Sequence, residues 1–167
     1  MELLLIRHAI AAERDARRWR DDDARPLTPL GMRRSRRAAA GLKVITKAPD
    51  RLLTSPLVRA RQTARILTEV AGWPPAEEVA ELLPGAAALK VLALLSRKPR
   101  KRIALVGHQP DLGALLSTCL LGNHGLIPVD MKRNAVACVA FEGPPTAGHA
   151  VLKWLATPRM LRELRHD

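Results

Sequence analysis

Two short apolar runs, Leu3 to Ile6 and Ile103 to Val106, each stop abruptly at a histidine, the first at Arg7-His8 and the second at Gly107-His108. An apolar run without polar alternation reads as a strand covered on both faces. The same runs are far shorter than the about 20 apolar residues that a membrane-spanning helix needs. The segments between them alternate in kind. Thr28-Pro29 has the form of an N-cap followed by proline at the first helical position, and Met32, Ser35, Ala39 and Leu42 then recur at helical spacing, with Arg33, Arg34, Arg36 and Arg37 mostly off that stripe. Arg51 to Thr54 reads as a strand, and Ser55-Pro56 as the cap of a second helix with Leu57, Ala60, Ala64, Leu67 and Ala71 inward. A strand near Val79 and a helix from about Ala86 to Leu95 come next. After His108, residues Leu112, Leu115, Leu116, Cys119 and Leu120 mark an amphipathic helix, and Asn134 to Phe141 and Ala150 to Leu155 read as two strands around a Gly-Pro-Pro turn. Strands alternating with helices imply an α/β, three-layer αβα domain spanning residues 1 to 167. Its sheet is mostly parallel with helices on both faces, and the loop between the last two strands is short enough to make the closing pair antiparallel.

The charge balance narrows the partners. Lys plus Arg is 28 against 16 Asp plus Glu, a net charge of +12, which favours anionic ligands. Aromatic residues make up only 2%, so there is little on which to stack bases, and nucleic acid is disfavoured. Cys119 and Cys138 lie in apolar segments without metal or redox spacing and read as buried reduced thiols. Glu2, Arg7 and His8 interrupt the N-terminus where a secretory signal would need a basic start and a longer apolar stretch. The expectation is a cytoplasmic protein with no membrane partner.

In open α/β sheets ligands bind beyond the carboxyl ends of the strands, where Arg7, His8 and His108 fall. Arg59, near the start of the helix after Ser55-Pro56, points from a helix N-terminus toward the same end. Two guanidinium groups, two imidazoles and free helix N–H groups suit a tetrahedral dianion, with phosphate the best fit. An unprotonated imidazole nitrogen can attack phosphorus to give a covalent intermediate that water later hydrolyses, and nearby arginines favour that neutral form. His8 is the expected nucleophile. Nucleotide-cradling glycine motifs are absent, neither cysteine has Arg six residues later, and no metal-ligand cluster is visible, so metal-independent, cofactor-free chemistry is expected.

Arg7-His8 after a first strand, Ser55-Pro56 with Arg59 and Thr63, and Gly107-His108 together resemble the histidine phosphatase superfamily, the fold of cofactor-dependent phosphoglycerate mutases and many acid phosphatases. Leu27-Thr28-Pro29-Leu30-Gly31, Glu81-Leu82-Leu83-Pro84-Gly85 and Trp154 with Pro158 further resemble its small bacterial SixA-type phosphohistidine phosphatases. The resemblance runs over nearly the whole chain. It implies His8 as nucleophile and Arg7, Arg59 and His108 as phosphoryl ligands. Ala9 stands where many members have Gly. The chain lacks the length for the insertions that close over a sugar phosphate in the mutases, which suits a phosphoryl group displayed on another macromolecule.

For the general acid, the resemblance points to a carboxylate after the third strand, and Glu81 is nearest. A solvated role beside Glu77 and Glu78 is the alternative, and Asp15 or one of Asp21 to Asp23 can substitute. A phosphohistidine substrate needs less help, because imidazole leaves more readily than an alkoxide. The resemblance implies phosphohistidine on a protein as the substrate, with a small phosphoester as the alternative. A non-catalytic polyanion-binding domain, with polyphosphate or an acidic partner on the Arg33 to Arg37 patch, is the rival of another class. Lys132 and Arg133 read as a solvated turn or an extension of the anion site, and His124, His149 and His166 as surface residues.

Overall fold

The computed structural model describes residues 1–15 and 17–164. One mixed six-stranded sheet has the order β3-β2-β4-β1-β5-β6, with β1 at Glu2–Arg7, β2 at Arg51–Thr54, β3 at Ala76–Glu78, β4 at Arg102–Gly107, β5 at Val136–Phe141 and β6 at Ala150–Ala156. β1, β2, β3 and β4 pair in parallel, while β5 runs against both of its neighbours, β1 and β6. Helices α1 (Pro29–Ile45), α2 (Val58–Ala71) and α5 (Pro158–Glu163) cover one face, and α3 (Ala88–Arg97) and α4 (Asp111–Leu121) the other.

The two central strands explain the apolar runs. Leu4 and Ile6 of β1 pack with Ala104 and Val106 of β4 under α1 and α2. Leu3, Leu5, Ile103 and Leu105 pack under α3 and α4. Leu3, Leu4 and Leu5 are all fully buried, each worth about 1.5–3 kcal/mol of apolar burial. With both faces covered, there is no room for a polar alternate.

Local signals hold in part. The Thr28 hydroxyl accepts from the Gly31 N–H at 2.9 Å, and Pro29 opens α1 as its spacing predicts. The inward face of α1 is Gly31, Ser35, Ala38, Ala39, Gly41 and Leu42, whereas Met32 lies exposed. Gly31 and Gly41 set that face because backbone from elsewhere approaches them: an added Cβ would lie 2.0 Å from the Ile10 carbonyl oxygen and 1.7 Å from that of Leu161. Ser55 does not cap α2, which begins at Val58 with Leu57 in the cap position and no side-chain cap bond. The Ser55 hydroxyl meets the His108 ring at 2.9 Å and accepts only a long bond, 3.4 Å, from the Leu57 N–H. The strand expected near Val79 ends just before it at Glu78, and α3 begins at Ala88 rather than near Ala86. The charged stretch after His8 bridges Ala11 to Leu27 and forms a short 3-10 turn at Asp22–Ala24.

Candidate active site

Parallel pairing of β1 with β4 puts Arg7 opposite Gly107. One residue further, the His8 N–H donates to the Gly107 carbonyl at 3.0 Å, and the His8 and His108 rings lie 5.1 Å apart, centre to centre. Both imidazoles and Arg59 are more than nine-tenths buried. Residues a hundred positions apart therefore share one crevice, because the strands that carry them are neighbours.

The backbone beside His8 fixes its tautomer. His8 Nδ1 lies 2.7 Å from the Ala9 carbonyl oxygen, which can only accept, so Nδ1 carries the proton and Nε2 keeps its lone pair when the ring is neutral. The Ala9 peptide is held in turn, since its N–H donates to Thr63 Oγ1 at 3.0 Å and that hydroxyl donates to the Arg59 carbonyl at 2.8 Å. His108 Nε2 meets Ser55 Oγ at 2.9 Å, while its buried Nδ1 has no partner.

Burial and charge keep both rings neutral. The His8 pKa is pushed down to about 3, first by burial and then by His108, Arg59 and Arg7, against the opposing pull of the Ala9 carbonyl. That of His108 falls to about 4, again first by burial and then by Arg59. The sequence pointed to the arginines as the cause, but desolvation is the larger one.

Arg59 reaches the crevice from the first turn of α2. It donates from Nη1 to the Asp22 carbonyl at 2.8 Å and pairs through Nη2 with the Asp22 carboxylate at 3.1 Å. Asp22 also takes Arg25 at 3.0 Å and Arg14 at 3.4 Å, which lowers its own pKa. Arg7 donates to the Met131 carbonyl at 2.6 Å. The Nε groups of Arg7 and Arg59 are buried without partners, leaving donors for an anion. Arg7, His8, Arg59 and His108 line a cavity of about 890 Å³ with Arg14, Arg25, Arg133, Glu13 and Asp111 and an apolar wall that includes Ile10, Leu30 and Pro84.

Most of the other candidate residues fall outside that cavity. Glu81 sits half-buried on a 3-10 turn at Ala80–Leu82 and lines a small cleft against His108 and Asp111. Asp15 and Asp21 accept backbone N–H groups within their own loop. Asp22 braces arginines from behind, and neither it nor Asp23 lines the cavity. Lys132 pairs with Asp130, whereas Arg133 reaches the cavity. His124 and His149 are exposed, and His166 lies outside the described residues. Cys119 and Cys138 are buried free thiols with pKa values raised by burial. Among the described residues, no three His, Cys, Asp or Glu side chains are grouped as metal ligands, and no helix is long and apolar enough to cross a membrane. Sequence reading offered Asp22 only as a substitute proton donor and missed its bracing of Arg59, as it missed Arg25 and Asp111 as neighbours of the site, because long-range pairings such as Asp22 with Arg59 leave no local periodicity.

This geometry has counterparts. Residues 3–83 match the model of the histidine phosphatase superfamily, branch 1. An uncharacterized protein of Picosynechococcus sp. is 39% identical over 128 residues, covering 75% of this chain and 76% of that one. Phosphohistidine phosphatase SixA of Escherichia coli is 29% identical over 166 residues, 97% of each chain. A solved structure of the protein histidine phosphatase SixA complexed with tungstate superposes with a TM-score of 0.83 at 28% identity, covering 96% of this chain and 99% of that one. The chain belongs to the histidine phosphatase superfamily and is similar within it to SixA. Its similarity to SixA supports phosphatase activity.

Proposed function

We propose that this chain is a metal-independent phosphatase that takes the phosphoryl group onto His8 and passes it to water, with phosphohistidine on a protein as substrate. The observation that carries the reading is the His8 tautomer: Nδ1 is committed to the Ala9 carbonyl, so the Nε2 lone pair is available in a crevice holding Arg7, Arg59 and His108. The Nε2 pair forms a bond to phosphorus as the bond to the leaving group breaks, and the leaving group departs with its electrons and takes up a proton. Arg7, Arg59 and His108 hold the phosphoryl oxygens, supplying by guanidinium charge what a metal supplies elsewhere. Water then attacks phosphorus from the vacated side and restores neutral His8.

Glu81, in the cleft against His108, donates the proton when the leaving group is an alkoxide. A phosphohistidine releases an imidazole and depends less on that donor. The tungstate of the SixA relative, a tetrahedral oxyanion, supports the phosphoryl assignment, and that relative's named substrate supports phosphohistidine here. Two buried unpaired thiols suit a reducing compartment, in keeping with a cytoplasmic site of action.

The test is hydrolysis of a phosphohistidine protein and of a chromogenic phosphoester, both in EDTA. The phosphohistidine protein is expected to be the better substrate, with both activities lost in His8→Ala. Activity that survives in His8→Ala overturns the mechanism, loss on chelation overturns metal independence, and preference for the phosphoester overturns the substrate.

A further inference from the structure

Five guanidinium groups line the cavity, and four of them have a carboxylate within 4 Å: Arg14, Arg25 and Arg59 share Asp22, and Arg7 lies 3.8 Å from Asp130. Arg133 is the one without such a partner among the described residues, and its side chain is exposed. The backbone that carries it is nevertheless held in place. The Arg7 N–H donates to the Ala135 carbonyl at 3.1 Å, the Asn134 N–H donates to the Arg7 carbonyl at 3.0 Å, and the Ala135 N–H closes the turn onto the Lys132 carbonyl at 2.7 Å.

Closing that turn requires Asn134 in the left-handed region at φ 69°, and it is the one non-glycine residue with positive φ among those described. Asn tolerates this conformation better than most residues, yet at a cost that local structure elsewhere must offset. The turn thus fastens Arg133 to the backbone of Arg7, whose own pKa is lowered first by burial and then by Arg133. An unpaired cation on that anchored turn thus lies beside a phosphoryl-binding arginine, repels it, and is offset by no ion-paired carboxylate among the described residues.

We propose that Arg133 forms a second anion subsite beside the phosphoryl pocket, so that preferred substrates carry a further negative group close to the phosphoryl group that is removed. This rests on the functional reading above and deepens it by naming a specificity determinant. The second anion is either an acidic side chain flanking a phosphorylated residue or a carboxylate on a small phosphoester. Of the two carboxylates that line the cavity, Asp111 is engaged by the Gly85 N–H at 3.2 Å, and neither it nor Glu13 forms an ion pair with Arg133.

Two substrate pairs of similar size, one member of each carrying an additional carboxylate, test it. One pair is phosphoglycolate and 2-hydroxyethyl phosphate, and the other is a phosphohistidine peptide with Glu beside the modified residue and its Gln counterpart. The wild type is expected to favour the acidic member of at least one pair by about three- to tenfold, through KM, as suits a charge-assisted contact at an exposed position. That preference shrinks as salt rises, is largely kept in Arg133→Lys, and disappears in Arg133→Gln. The pair that shows it identifies the source of the anion. A wild type with no preference in either pair, or a preference that persists in Arg133→Gln, overturns the proposal. If turnover of these substrates does not depend on His8, the functional reading itself falls. If it depends on His8 but preference does not depend on Arg133, only the subsite falls.

Discussion

Burying two neutral imidazoles side by side should make this fold acid-labile in a pH window of its own. His8 and His108 have pKa values of about 3 and about 4 in the folded chain, against about 6.5 for an unfolded histidine. Below pH 6.5 the unfolded chain binds protons at both positions and the folded chain does not, so stability falls as pH falls. At pH 5 each unfolded imidazole is almost fully protonated, and linkage gives a loss of about 2 kcal/mol per residue, or about 4 kcal/mol together. Against a typical total of about 5–15 kcal/mol this is a large fraction. The carboxylates of Asp22, Glu77 and Asp130, held low chiefly by hydrogen-bonded Arg25, Arg51 and Lys132 respectively, lose their contribution only in the carboxylate range nearer pH 4, so the interval from 6.5 to 5 belongs to the histidines. Urea denaturation at pH 8, 6 and 5 measures it. The wild type is expected to lose about 4 kcal/mol between pH 8 and pH 5, His8→Gln and His108→Gln about half as much, and the double variant little. The reasoning is refuted if the double variant weakens with acid as steeply as the wild type.

Thr63→Val keeps the shape of a buried side chain but leaves the Ala9 N–H without its acceptor, so a stability loss of about 1–3 kcal/mol is expected by thermal melt. It should also lower kcat more than it raises KM, because the Ala9 carbonyl that orients His8 is loosened; an unchanged kcat means that Ala9 is held by other contacts. Glu81→Gln should slow an alkyl phosphoester by about 100-fold and a phosphohistidine substrate much less, as general-acid loss predicts. Should Asp111→Asn produce that pattern instead, the proton comes from the cavity wall and not from the cleft beside His108.

The part of the site legible in the sequence lies at strand ends. His8 and His108 each stop an apolar run, and any parallel sheet that makes those two strands neighbours brings the histidines together; pairing of Arg7 with Gly107 does so. Ser55 was misread because Ser-Pro before a helical stripe is also how a helix is capped, and only the tertiary fold gives its hydroxyl a stronger claim, the His108 ring at 2.9 Å. The bracing role of Asp22, which the sequence suggested only as a substitute acid, was illegible for a different reason: it meets Arg59 across 37 positions of chain, and ion pairs of that reach follow no period. Depth was also hidden, since a sequence displays charges but not how far they lie from water. That last gap changes the chemistry. Were the arginines alone responsible for keeping His8 neutral, binding a phosphoryl dianion would cancel their charge and protonate the nucleophile at the moment it is needed. Because burial is the larger cause, Arg7 and Arg59 can spend their charge on the substrate while the Nε2 lone pair persists. The site therefore needs its histidines deep in the sheet crevice as much as it needs its arginines near them.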